Sequence, residues 1–229
     1  MKYINLFIFI TIYMPSFNTY AQELYRIGNI NELAGLSYFA KVEARDRLTG
    51  EGIKGSPYEN EEFTNGFLVT INNTKYENIP LRLNIYNDGI EYQSKDGEIL
   101  ALYNKEIINH LMIGGSKYKY LPYAKGDRTY KTFFRVIEEG KASLLVRQRV
   151  IFREARPAAD YKKPAPPTFK RQPDEYYIRL EDGLAQKVSG KKDLEIIFPP
   201  SVKAFIKRNK IKATRLDGLQ KLVHYYNMN

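Results

Sequence analysis

The chain has 229 residues and a net charge of +10, with no Cys, no Trp, 19 Tyr and 2 His. This length allows one or two domains with a sizeable core. The composition excludes thiolate metal sites, disulfides and a Cys nucleophile, and 2 His leave almost no room for a multi-His metal centre.

Lys2 is the only charge before Glu23, and Leu6 to Met14 form an apolar run interrupted by one Thr. Thr19-Tyr20-Ala21 then supplies acceptable −3 and −1 residues for signal peptidase. A charged start, an apolar stretch and a cleavage triplet in that order predict a signal peptide over 1–21, cleaved between Ala21 and Gln22. The run is too short for a bilayer, which needs about 20 apolar residues. With no Cys after it, a bacterial lipid anchor is excluded as well. The expected location is the cell exterior or, best, the periplasm, with no transmembrane segment in the mature chain.

Residues 22–155 are expected to form a β-rich body. Ile30 to Leu48 reads equally as a helix or as strand plus loop. From Phe63 onward, apolar and polar residues alternate as in half-buried strands. Phe67, Val69 and Ile71 alternate with Leu68 and Thr70; Leu81, Leu83 and Ile85 alternate with Arg82, Asn84 and Tyr86. Asn72-Asn73, Asp88-Gly89 and Asp96-Gly97 provide residues that tolerate positive φ in tight turns. Further strands are expected at Ile107–Ile113, Lys117–Tyr123, Thr132–Ile137 and the long run Ala142–Phe152. Short strands at close spacing predict a mainly β (α+β) protein with an antiparallel meander, open barrel or sandwich.

Residues 156–173 contain Pro157, Pro164, Pro166, Pro167 and Pro173 among Lys and Arg. They read as an extended linker or loop, or as a docking motif. Residues 174–229 follow as a hairpin and a basic helical tail of two to three helices. Tyr176–Leu180 and Leu184–Val188 flank the turn Glu181-Asp182-Gly183. Lys191–Phe198 predicts a short helix stopped by Pro199-Pro200, and Ser201 a cap for the next. Thr214 with Asp217 has the spacing of a capping box for the last helix, which carries Leu216, Leu219, Val223 and Tyr226 on one side.

The charge is unevenly placed. Residues 22–140 carry 15 Lys and Arg against 17 Asp and Glu, and residues 141–229 carry 20 against 9. The body is thus slightly negative and the rest strongly positive. Such asymmetry bears on partners and not on fold.

Ser56–Tyr92 and Tyr176–Asn227 together resemble a family of exported Bacteroidota proteins of unknown function, which pair a β-hairpin body with a Lys-rich helical tail ending in Tyr-Tyr-Asn. The resemblance implies an exported, periplasmic, β-rich protein. It brings no catalytic residue to carry over.

Chemistry is sparse. G-x-S-x-G, P-loop and H-E-x-x-H patterns are absent from the sequence. His110 and His224 read as packing or surface residues. Glu59, Glu61, Glu62, Asp88 and Glu91 are the acids nearest to a hydrolytic pair. No cofactor is expected. The tail supplies the candidate contacts: Lys203, Lys207, Arg208, Lys210 and Lys212, with Arg215 and Lys221 nearby. The expected function is that of a non-enzymatic exported binding or accessory protein. Its tail would dock on an anionic lipid surface or a cell-envelope protein, with nucleic acid disfavoured by export. The alternative is a small-ligand-binding β-barrel or a carboxylate-dependent hydrolase.

Overall fold

The structure is a computed structural model that describes residues 25–33, 39–41, 52–157 and 164–229. The expected signal peptide and its cleavage site lie outside these residues, as do most of 30–48 and part of the proline stretch. The short elements at the start are β1 (Arg26–Ile27), α1 (Ile30–Leu33) and β2 (Phe39–Lys41).

The body is an antiparallel meander. Its strands are β3 (Thr64–Thr70), β4 (Thr74–Asn84), β5 (Gly89–Gln93), β6 (Ile99–Leu102), β7 (Ile108–Ile113), β8 (Ser116–Lys125), β9 (Arg128–Glu138) and β10 (Ala142–Arg147). The turn residues act as expected: Asn73 and Asp88 take positive φ themselves, and Gly97 does so after Asp96. Leu81, Leu83 and Ile85 are buried, as their alternation predicts. Ile71 departs from its pattern. It leaves the strand for the turn and is 61% exposed, while Leu68, Val69 and Thr70 are all buried. β3 is covered on both faces there, so alternation fails as a guide.

Two corrections concern the middle of the chain. The run Ala142–Phe152 is not one strand, because the chain leaves the sheet after Arg147 and re-forms as β11 (Val150–Arg153). The proline stretch contains a strand, β12 (Thr168–Arg171), which pairs with β11 in a separate two-stranded layer. Phe152 and Phe169 meet with tilted rings at 4.9 Å, and Phe169 meets Tyr86 edge-on at 5.3 Å. This layer covers the core built on Leu68, Ile79, Leu81, Ile90 and Leu111. Burial of Val150 and Phe152 against this core accompanies the departure from the main sheet, since continuing along β10 would keep both in the main sheet.

β13 (Glu175–Leu180) and β14 (Gln186–Val188) then rejoin the main sheet, β13 pairing antiparallel with β10. The strand order is β14-β13-β10-β9-β8-β7-β3-β4-β5-β6-β2, with β1 added in parallel to β4. The hairpin predicted beyond the linker therefore shares one sheet with the body. A parallel bridge between Tyr123 and Ala185 curls β14 back toward β8, but the sheet does not close into a barrel.

Three helices follow: α2 (Lys191–Ile197), α3 (Lys203–Arg208) and α4 (Leu216–Met228). Asp193 accepts from the backbone N–H groups of Ser189 and Gly190, which caps α2. Ser201 is not a cap; it lies inside a 3-10 turn, Pro200–Val202, and α3 begins after it. Thr214 is not a cap either. The residue before α4 is Arg215, with extended backbone and no side-chain capping bond. Ile211 and Ala213 are both buried, and seating them delays the helix past Thr214. The helices pack Leu194, Phe205, Ile206, Leu219, Leu222 and Val223 against Ala142, Leu144 and Ile178 of the sheet.

The Tyr-Tyr-Asn near the end of α4 fastens this layer. Tyr225 stacks on Phe205 at 3.9 Å with nearly parallel rings, and Tyr226 meets Phe198 edge-on at 5.1 Å. The Asn227 carboxamide accepts from the Ala142 N–H at 2.8 Å and donates to the Ala142 carbonyl at 3.0 Å. It fits because residue 140 is Gly, where a Cβ would stand 2.7 Å from the carboxamide. Asn227→Ala unpairs both groups of Ala142 and should cost about 1–3 kcal/mol, read as a lower urea midpoint with unchanged m-value.

Candidate functional site

α3 places its apolar and basic residues on opposite sides. Val202, Phe205 and Ile206 are buried in the helical core, while Lys203, Lys207 and Arg208 face solvent. The helix ends in a Schellman motif: the N–H of Ile211 reaches the Ile206 carbonyl at 3.1 Å, and that of Lys210 the Lys207 carbonyl at 3.2 Å. Lys210 occupies the left-handed position of this motif, at φ 49°. Glycine is the usual residue there, because an L side chain costs about 1 kcal/mol in that region. Lys212 follows, exposed, between buried Ile211 and Ala213. The structure thus brings the five predicted cations into one short segment.

None of the five makes a side-chain ion pair or hydrogen bond among the described residues, and the same holds for Arg215 and Lys221. Several cations of the body are paired instead. Lys117 and Lys119 both pair with Glu139, Lys131 with Glu106, and Lys41 with Glu98. Part of the placement on α3 has a local cause, since Lys207 and Arg208 sit at the helix C-terminus, where the carbonyl ends favour cations.

Three of the five acids considered for hydrolysis, Glu91, Glu59 and Asp88, accept hydrogen bonds within the fold, while Glu61 and Glu62 are exposed. Buried Glu91 accepts from Arg82 at 2.5 Å and from the Tyr58 hydroxyl at 3.2 Å. The Arg82 guanidinium lies over Tyr58 and Phe63, at 3.7 and 4.3 Å from their ring centres. Its Nη1 also donates to the Glu61 carbonyl. Glu59 accepts from the Tyr118 hydroxyl and from Gln148, both at 2.5 Å. Burial first, and then Glu59, push the Tyr118 phenol well above its usual range. Asp88 accepts from Thr132. A cleft of about 170 Å³ lies here, lined by Glu59, Glu62, Arg82, Ser116 and Tyr118. Each of Glu59, Glu91 and Asp88 has a defined acceptor role in this network. His110 sits on β7 against Phe67, and His224 on α4, 3.1 Å from Glu138. His110 packs within the sheet, and His224 is an exposed residue that reaches from the helices to β9. The described residues hold no group of three or more His, Cys, Asp or Glu arranged for a metal ion. No helix among them is long and apolar enough to cross a membrane.

A second polar cluster was not legible in the sequence. Glu175 opens β13 directly opposite Arg147 on β10. Its carboxylate lies 3.7 Å from Arg147, 3.0 Å from Arg149 and 2.7 Å from Lys187. Burial alone would raise the Glu175 carboxyl; the hydrogen bonds from Lys187 and Arg149 outweigh it and hold it below the usual carboxylate range. Arg147 also lies over the Tyr123 ring, and the Tyr177 hydroxyl donates to Glu175. The sequence signal is Arg-x-Arg at 147–149, but its acid partner lies beyond the proline stretch, so only the strand pairing brings them together.

Comparison with family models, with curated proteins and with solved structures gives no significant match to this chain.

Two outcomes follow. Lys210→Gly relieves the left-handed lysine and should raise stability by about 1 kcal/mol, measured by chemical denaturation. Burial, then the Glu175 charge, pushes the Tyr177 phenol up to about 12. A phenol of an unfolded chain ionises near pH 10, so its contribution is complete below pH 10 and is lost as pH rises through about 12. Tyr177→Phe should flatten the alkaline fall in stability over that window, seen in urea unfolding at several pH values.

Proposed function

We propose that this chain is a non-enzymatic binding protein of the cell envelope that docks on anionic lipid surfaces through the α3 face. One observation carries the reading: five exposed cations from Lys203 to Lys212, none neutralised within the described chain, on a segment whose apolar side is committed to its own core. A surface helix that inserts into lipid keeps an apolar face free for the acyl boundary. α3 has no such face to offer, so its contact with a membrane is electrostatic, peripheral and salt-sensitive. The N-terminal export pattern supports the compartment, and anionic phospholipid headgroups there attract clustered Lys and Arg. The charge partition supports it further, because the slightly negative body is repelled by the surface that attracts the tail. That polarity orients the protein with α3 toward the surface.

Each Lys or Arg near an anionic surface contributes about 1 kcal/mol. The triple variant Lys203→Glu, Lys207→Glu, Arg208→Glu should therefore lose at least about a hundredfold in affinity for phosphatidylglycerol vesicles. Co-sedimentation at low and physiological salt reads this out, with neutral phosphatidylcholine vesicles as the baseline. Equal binding by wild type and variant, or binding that ignores salt, overturns the reading.

A further inference from the structure

The cluster around Glu175 borders a cleft of about 560 Å³. One wall is the start of β13 with Glu175 and Asp174, the second is Arg149 and Gln172, and the third is Lys187 with Ser189 and Thr214 from the helical side. The charge here does not balance. Arg147, Arg149 and Lys187 converge on Glu175 alone. Arg135 and Arg171 share Asp174 at 3.9 and 3.4 Å. Five cations thus meet two carboxylates, an excess of three positive charges at one place.

The donors of these cations are only partly used. Arg149 gives one hydrogen bond, to Glu175, and its side chain is 42% exposed; Lys187 gives one and is 45% exposed. The Nε groups of Arg135 and Arg147 are buried without a hydrogen-bond partner. Ser189 and Thr214 line the cleft, and neither hydroxyl has a hydrogen bond among the described residues. A guanidinium, an ammonium and two hydroxyls therefore border one cleft with donors to spare.

We infer that this cleft binds a phosphomonoester, its phosphoryl group held by Arg149 and Lys187 with hydroxyl donors from Ser189 and Thr214. The charge excess suits a dianion. A phosphomonoester carries close to two negative charges at neutral pH and three acceptor oxygens, which match a guanidinium fork and added single donors. The volume exceeds that of phosphate itself, so the rest of the molecule also enters. Asp174 faces that space with only long contacts to its two arginines. It can accept from hydroxyls of the ligand, which favours a polyol or sugar phosphate over an apolar ester. Glu175 is the opposite case. Both of its oxygens are occupied, and it holds the cations in place while the phosphoryl group completes their neutralisation. The site is separate from the α3 face and does not depend on membrane docking.

The test is titration calorimetry of the full chain with glycerol 3-phosphate, inorganic phosphate and glycerol, together with co-sedimentation on phosphatidic acid vesicles. Saturable binding of glycerol 3-phosphate, tighter than inorganic phosphate and absent for glycerol, is expected. Arg149→Gln with Lys187→Gln should weaken it by about ten- to a hundredfold, the loss of one to two charge-assisted hydrogen bonds. The α3 triple variant should bind it as wild type does. Phosphatidic acid vesicles that bind by way of Arg149 and Lys187, with no response to the soluble ester, assign the same phosphoryl chemistry to a lipid headgroup. Should the double variant lose its fold by circular dichroism, Ser189→Ala with Thr214→Val takes its place, since neither hydroxyl touches the ion cluster. Binding unchanged by the variants, or no binding of any phosphomonoester, soluble or lipid, overturns the proposal. That result would leave the α3 reading untouched, because different residues and a different variant test it.

Discussion

Strand β10 holds the molecule together because it has no solvent face. Ala142, Leu144, Leu145 and Val146 are fully buried, and Ser143 nearly so. Ala142 and Leu144 belong to the helical core on one side. Leu145 belongs to the cluster of Tyr123, Phe134 and Tyr177 on the other. A strand with cover on both faces reads as a continuous apolar run and not as an alternation. Its two edges are taken by β9 and β13. The hairpin that presents Glu175 and the helices that present the basic face both depend on this strand.

This dependence explains how the net charge is organised. The +10 of the chain is a difference in pairing as well as in number. Several cations on the meander, Arg82, Lys117, Lys119 and Lys131 among them, meet acids that the folding of the sheet brings within reach. On α3 the neighbouring positions are taken by buried apolar residues, and the helix carries no acid to answer its lysines. At the Glu175 cluster the register of β10 on β13 sets Arg147 opposite an acid, while Arg149 and Lys187 converge on the same one. Both surpluses are products of the fold that a count along the sequence locates only in part.

Much of the meander was legible because its signals are local. Asn73, Asp88 and Gly97 mark turns by a backbone requirement that few residues satisfy, and Leu81, Leu83 and Ile85 mark a face by spacing alone. The basic segment was legible for a similar reason: exposure of Lys203 and Lys207 follows from the burial of Phe205 and Ile206 between them. What escaped was decided at a distance. The break after Arg147 depends on a core that β11 reaches by crossing to another layer. β12 forms within a proline stretch because β11 supplies its partner. The start of α4 is set by the seats of Ile211 and Ala213 and not by the hydroxyl of Thr214, a residue that lines the Glu175 cleft instead. No local propensity encodes any of these.

The ending Tyr225-Tyr226-Asn227 bears on why a six-residue helix can act as a recognition element at all. Helices this short are marginal in water, and their order comes from packing. Tyr225 supplies it directly by stacking on Phe205, and Asn227 supplies it at one remove by fixing the end of α4 to Ala142. The backbone under Lys203, Lys207 and Arg208 is thereby ordered before any partner arrives. Association then orders only the side chains, at about 0.5–1.5 kcal/mol each, and not the helix itself. A flexible basic tail of the same composition would lose backbone freedom on binding as well. The division of labour within the segment follows: aromatic and amide groups hold the shape, and the lysines, free of any structural partner, remain available to an anion.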